Sequence, residues 1–380
     1  MWDLFCSVID NYGDAGVSWR LARTLRRDHG IPVRLWLDDL RTLSQLAPAV
    51  DANAAVQTVE GVEIRAWSEP FPQVEPGVVV IEAFGCRLPE TFLAAMAVRR
   101  PQPVWLNLEY LSAEDWVRGC HRGPSVHPRL PLHKYFFFPG FEEGTGGLLR
   151  ERGLIAARRA FQQDAQALAT YWQTQGLPLP APDERRVSLF CYGHAPVGEL
   201  LDAWRTGSFP VTALVPTGPV VAPIAAYFGC GALRPGECVI RDALRLHVLP
   251  FSDQAGYDRL LWACDLNFVR GEDSFVRAQW AARPLVWHIY PQEEGAHQAK
   301  LAAFLDRYCA ELPAEAAAAQ RALHAAWNAV PNAPTVGAAW RQWLAHQDQA
   351  RAHAVRWAQL RESGPELGSE LVKFVQRQVK

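Results

Sequence analysis

The chain has 380 residues, 49% hydrophobic and 21% charged, which is enough for two domains that each bury their own core. A formal net charge of −2 argues against a general nucleic-acid binder or a membrane-surface protein. The eight cysteines are scattered without a C-x-x-C pair, several inside apolar runs, and read as buried reduced thiols. No signal peptide precedes the first strand and no apolar run approaches the ~20 residues that span a bilayer, so a cytoplasmic location is expected.

Residues 2–9 (WDLFCSVI) are almost continuously apolar, as in a strand buried on both faces. A loop follows, Asp10-Asn11-Tyr12-Gly13-Asp14-Ala15-Gly16. The predicted helix over 17–27 then puts Val17, Leu21 and Leu25 on one face. Gly30 stops that helix and residues 33–37 form a second strand, completing a βαβ opening. The glycines do not spell G-x-G-x-x-G. In their place two carboxylates, Asp10 and Asp14, flank the mouth of the first strand; both also suit plain turn and helix capping.

Apolar runs at 62–67, 78–84 and 104–108 extend the sheet. Ligands of open α/β sheets sit beyond the carboxyl ends of such strands, which places Asp10, Asp14, Glu82 and Glu109 around one crevice. Residues 134–141 read as a further strand and 150–175 as one long helix. The stretch 176–186 is proline-rich and charged, the composition of a linker.

A second α/β series starts at once, with strands over 187–192, 211–215 and 244–251 and helices over 197–205 and 220–228. Ser252 is placed to cap a helix that ends near Cys264, and residues 266–269 form a short buried strand. That strand runs into the turn Arg270-Gly271-Glu272-Asp273-Ser274, with a new helix from about Phe275 and another strand over 284–290. Two α/β halves joined by a linker predict a two-lobed protein with a cleft between the lobes. Beyond Gln298 the chain is helical and alanine-rich over 301–309, 314–329 and 337–361. The closing amphipathic segment 367–379 puts Leu371, Phe374, Val375 and Val379 on one face.

The turn after residue 269 has the parts of a diphosphate site. A strand–turn–helix unit presents backbone N–H groups where anions are favoured, Arg270 adds a cation, and Gly271 lets the backbone approach a ligand. Ser274 is placed as an N-cap; a capped turn with a surface ion pair explains the same residues. Phe190, Tyr192 and Phe251 end strands where an aromatic ring stacks on a base or packs in a core. His121, His127 and His133 recur without a partner at metal-ligand spacing, Asp38-Asp39 is no separated acidic pair, and neither a P-loop nor a G-x-S-x-G elbow occurs.

The segments FCSVIDNYGDAGVSWRLARTL, VRLWLDDL, NLEYLSAEDW, KYFFFPGF with TGGLLRER, SLFCY and CDLNFVRGEDSFVRAQWA resemble the bacterial rhamnosyltransferases that modify translation elongation factor P on an arginine. The resemblance covers nearly the whole chain. It implies a GT-B fold, two Rossmann-like lobes facing each other across a cleft, with the last helix crossing back to the first lobe. It also implies dTDP-β-L-rhamnose as donor, elongation factor P as protein acceptor, inversion at the anomeric carbon, and no metal or other cofactor. On that pattern residues 1–180 with 360–380 bind the acceptor and 181–359 bind the donor.

Carried over residue by residue, the resemblance puts acceptor-side aspartates on Asp10 and Asp14, with Asp14 as general base, and an essential glutamate on Glu272. Donor contacts fall on Gly13, Tyr192, Phe251, Gln254, Arg270, Gly271, Asp273, Ser274 and Tyr290. Two other readings share the two-lobed pattern: a different GT-B sugar-nucleotide enzyme, such as an epimerase or small-acceptor transferase, and a non-catalytic module that closes on a ligand.

Overall fold

The computed structural model describes residues 1–10, 12–292 and 295–378. It divides into two compact units, residues 1–154 with 361–380 and residues 155–360.

The first unit opens with β1 (Trp2–Cys6), α1 (Tyr12–His29), β2 (Val33–Leu37) and α2 (Leu40–Leu46). It continues through β3 (Val56–Val59), β4 (Val62–Ala66), β5 (Val79–Ala83), α3 (Glu90–Val98) and β6 (Val104–Leu108). α4 (Val117–Cys120), β7 (Pro124–Val126) and β8 (His133–Phe137) complete its sheet. The eight strands lie in the order β3-β4-β2-β1-β5-β6-β8-β7. All neighbours are parallel except the edge strands β3 and β7, which run antiparallel. Chain order reverses at β1, between β2 and β5, which makes the carboxyl ends of β1 and β5 the topological switch point.

The second unit runs α5 (Leu154–Gln163), α6 (Ala165–Thr174), β9 (Arg185–Leu189), α7 (Val197–Arg205), β10 (Val211–Pro216) and α8 (Val221–Tyr227). Next come β11 (Cys238–Arg241), β12 (Leu244–Leu249), α9 (Gln254–Ala263), β13 (Leu266–Arg270), α10 (Asp273–Trp280) and β14 (Leu285–His288). Its helical end is α11 (Ala296–Tyr308), α12 (Ala314–Trp327), α13 (Val336–Leu344) and α14 (Gln347–Glu362). The six strands are ordered β11-β12-β10-β9-β13-β14, with the antiparallel strand β11 at one edge and the reversal at β9, beside β13.

Alternate residues of β1 supply both faces of the first sheet. Leu4 and Cys6 join α1 residues Leu21 and Leu25 in one core, while Phe5 packs with Trp36 and Phe92 in another. The closing helix, α15 (Leu367–Gln378), buries Leu367, Leu371, Phe374 and Val375 in the first of these cores. At about 1.5–3 kcal/mol per large apolar side chain, that face holds the C-terminus onto the first unit. Arg122 donates to Glu370 at 2.8 Å beside it. Val379, expected on the same face, lies outside the described residues.

Several expectations change. α1 begins at Tyr12 rather than residue 17, so Asp14 lies inside its first turn. The long helix over 150–175 is two, because Asp164 leaves the helical conformation and caps α6 by accepting from Gln166 and Ala167. The segment 337–361 likewise divides into α13 and α14. The unit boundary falls at 154 instead of 180. α5 and α6 pack on the second unit, with Trp172 against Leu214 and Leu260 and Gln162 donating to the Trp262 and Ala281 carbonyls at 3.0 and 2.9 Å. The N-cap of α9 is Asp253, which accepts from the Gly256 N–H, not Ser252.

Candidate functional site

In the first unit, the loop between β1 and α1 wraps a buried carboxylate. Asp14 is 1% exposed, and its Oδ2 accepts from the Ile9 and Asp10 backbone N–H groups at 2.9 and 2.8 Å. Its Oδ1 accepts from the Tyr110 hydroxyl at 3.1 Å. Among the described residues no cation pairs with it. Burial pushes its pKa above the usual aspartate value, against the lowering effect of those three donors, and the Asp38 charge raises it further. Asp38 itself fastens the loop, accepting from the Val8 N–H at 2.9 Å and from the Ser7 hydroxyl.

Asp10 is half-buried on the same loop, and its carbonyl accepts from the Gly13 N–H at 2.8 Å. A Cβ at position 13 would stand 2.9 Å from Asp10 Oδ2, so glycine there keeps room for the second carboxylate. Asp10, Gly13 and Asp14 are therefore brought together at the switch point. Glu82 is not available to them, since it accepts from Lys134 Nζ at 3.1 Å and the Arg87 N–H at 3.0 Å.

In the second unit, Arg270 ends β13 next to the end of β9. Its guanidinium lies over the Phe190 and Tyr192 rings, 4.5 and 4.8 Å from their centroids, and it is 7% exposed. No carboxylate pairs with it among the described residues. Gly271 takes φ 60°, a left-handed conformation that suits glycine, with its carbonyl accepting from Trp287 Nε1 at 2.7 Å. Ser274 is not the N-cap. Glu272 holds that position without a side-chain cap bond, while the Ser274 hydroxyl donates to the Arg270 carbonyl and accepts from the Arg270 N–H at 3.0 Å. The hydroxyl thus fixes the backbone that carries the guanidinium.

Glu272 and Asp273 stand half-buried at the start of α10. Tyr290 is 43% exposed and meets Tyr192 edge-on at 5.7 Å. Gln254 is buried at the start of α9, which a two-pronged pair from Arg277 to Asp258 at 2.9 and 2.7 Å fastens to α10. Phe251 follows β12, separated from β9 by β10.

Four residues with no assigned role enter these clusters. Tyr110 touches Asp14 and stacks on Phe84; His288 accepts from the Tyr192 N–H at 3.2 Å; His194 lies 4.8 Å from the His288 ring. Burial, His194 and Arg270 lower the His288 pKa to about 3, so that imidazole stays neutral beside the arginine. Tyr110 sits in NLEYLSAEDW and Phe84 ends an apolar run, but no local pattern announces contacts made across the sheet. Among the described residues no group of three His, Cys, Asp or Glu is arranged to hold a metal ion, and no helix is long and apolar enough to cross a membrane.

Each sheet thus carries a buried charge at its switch point: a carboxylate held on amides in the first unit and a cation held on aromatic faces in the second. A solved structure describing EarP-mediated arginine glycosylation of translation elongation factor EF-P matches with TM-score 0.70 and 38% identity, covering 99% of this chain and 98% of that one. The fold class is GT-B, that of a glycosyltransferase with two Rossmann-like lobes.

Residues 2–376 match the family described as Elongation-Factor P (EF-P) rhamnosyltransferase EarP, and the chain belongs to that family. The protein-arginine rhamnosyltransferase of Pseudomonas putida is 49% identical over 98% of both chains. That of Shewanella oneidensis is 41% identical over 99% of this chain and 98% of the relative.

Proposed function

We propose that the chain transfers L-rhamnose from dTDP-β-L-rhamnose to an arginine side chain of elongation factor P, inverting the anomeric carbon and using no metal. The first unit handles the acceptor and the second the donor. The observation that carries the reading is Asp14, a buried carboxylate without a counter-ion among the described residues, in a member of a protein-arginine glycosyltransferase family.

The chemistry has to overcome a poor nucleophile, because a guanidinium is protonated and its lone pairs are delocalised. An ordinary aspartate and a guanidinium differ by roughly nine to ten pKa units, so complete proton transfer before attack would cost on the order of 13 kcal/mol. Burial raises Asp14 and narrows that gap from one side. The reading therefore couples the steps. Asp10 and Asp14 orient the guanidinium, the nitrogen's electron pair forms the C–N bond, and the N–H proton passes to Asp14 as the nitrogen's acidity rises. The anomeric C–O electron pair leaves on the diphosphate, whose charge Arg270 and the N-terminus of α10 stabilise, with Gly271 and Ser274 shaping the turn. Glu272 repels a diphosphate and is assigned a sugar or ribose hydroxyl, as is Asp273. Gly13, Tyr192, Phe251, Gln254 and Tyr290 complete the donor contacts.

Intact-mass measurement of elongation factor P after incubation with the protein and dTDP-rhamnose tests the reading. A single deoxyhexose added to an arginine is expected. Donor conversion or hydrolysis without any adduct would favour a sugar-nucleotide enzyme of another kind, and neither turnover nor adduct would leave only a binding module.

A further inference from the structure

Asp14 is held by donors on both oxygens, and among the described residues the arrangement singles out one lone pair. A carboxylate offers about two acceptor sites per oxygen. Both on Oδ2 are taken by the Ile9 and Asp10 amides, and one on Oδ1 by the Tyr110 hydroxyl. The Tyr110 ring is fixed in turn, stacked on Phe84 at 4.3 Å between centroids and 12° between planes. Phe84 has φ 57°, a left-handed conformation that a bulky residue keeps only where its surroundings impose it. The Phe84 N–H donates to the Leu108 carbonyl at 2.7 Å, so β5 and β6 together hold the strained residue and the tyrosine that follows β6.

We propose that Tyr110 is a positioning residue for the transfer step: its hydroxyl sets the rotation of the Asp14 carboxylate so that the remaining lone pair of Oδ1 receives the acceptor's proton, and the strained Phe84 ring sets Tyr110. The proposal rests on Asp14 being the base. In the step, the guanidinium N–H bond breaks as the C–N bond forms, the proton lands on Oδ1, and the electron pair of the anomeric C–O bond goes to the diphosphate. Tyr110 keeps its own proton throughout. The groups that face Asp14 are Cys6 at the end of β1, Asp10 on the loop, Asp38 after β2 and Tyr110 after β6. A donor to the carboxylate favours its charged form, so removing the Tyr110 hydroxyl raises the base's pKa and moves the acidic limb of kcat/KM to higher pH.

The test compares pH profiles of the full chain, with elongation factor P and dTDP-rhamnose, for wild type, Tyr110→Phe, Phe84→Ala and Asp14→Asn. Tyr110→Phe is expected to lower kcat about tenfold, leave the donor KM unchanged and shift the acidic limb upward. Phe84→Ala shifts it in the same direction by less, and an unchanged melting midpoint for Tyr110→Phe shows that the fold is intact. An unmoved limb in Tyr110→Phe overturns the proposal even if kcat falls, because packing alone then explains the loss. Full turnover by Asp14→Asn overturns the base itself, and the proposal with it; an inactive Asp14→Asn beside an unmoved Tyr110→Phe limb removes the proposal alone.

Discussion

Two pairs of buried charges, one near the amino ends of the strands and one at the switch points, are treated in opposite ways. Near the amino ends of the first sheet's strands, Asp3 is fully buried and matched on every side. Arg34 donates to it from Nε at 2.5 Å and Nη2 at 3.0 Å, and Trp36 Nε1 and the Gly77 N–H donate at 3.0 and 2.7 Å. At the same end of the second sheet, Arg186 pairs with Glu184 at 3.1 Å. At the carboxyl ends, Asp14 has amides and a phenol, and Arg270 has two aromatic faces. A buried charge without a counter-ion costs several kcal/mol. The fold bears that cost at its two switch points, and on the proposed reaction the substrates supply the counter-ions: a guanidinium for Asp14 and a diphosphate for Arg270.

The largest test of the contrast is Asp14→Asn. The amide keeps the shape and accepts on one oxygen only, but it cannot take a proton. Turnover should fall about a thousandfold, within the range of general-base losses, while dTDP affinity measured by calorimetry stays at the wild-type value. Weakened donor binding with activity rescued by more donor would move Asp14 out of the base role.

Asp3→Asn probes the opposite end. It leaves the Arg34 cation buried beside an amide, and breaking such a pair costs about 3 kcal/mol of stability, visible as a lower melting midpoint. At a temperature where the variant is folded, kcat should match wild type. A catalytic loss without a stability loss would erase the distinction between the two ends.

How far the sequence foretold these sites depended on range. The two α/β series and the Asp10–Asp14 and Arg270–Ser274 segments follow from apolar runs and the turns that end them, which are local signals, whereas the switch points depend on strand order, which no local pattern carries. The start of α1 was displaced because Gly13 and Gly16 read as loop residues. Nothing nearby shows that Asp14 reaches back to the Ile9 and Asp10 amides, and Gly13 is needed for a close approach. The Asp164 break was hidden inside an otherwise helical pattern, and the edge strands β3, β7 and β11 are short, partly exposed and antiparallel, without a long apolar run to mark them. Ser274 lies in the turn that the sequence marks, but its hydroxyl bonds the Arg270 backbone and does not cap α10. Tyr110 was out of reach altogether, since its contact with Asp14 joins residues 96 apart in the chain.

The smallest effect is the most discriminating, because its two parts have opposite signs. Arg270→Met keeps most of the side-chain volume against Phe190 and Tyr192 and removes the charge. If the arginine is kept for an anion, dTDP should bind about 100-fold more weakly, or roughly 2.7 kcal/mol. The ligand-free protein should meanwhile be as stable as wild type or more so, since replacing an unneutralised buried ion by an apolar side chain is commonly neutral or favourable. Arg270→Lys should recover only part of the affinity, because an ammonium cannot lie flat on the rings while offering two parallel N–H groups to a phosphate. Calorimetric titration with dTDP and a melting curve without it read the two parts separately. A ligand-free destabilisation as large as that of Asp3→Asn would make Arg270 a structural ion like Arg34, and the contrast between the two ends of the sheets would not survive it.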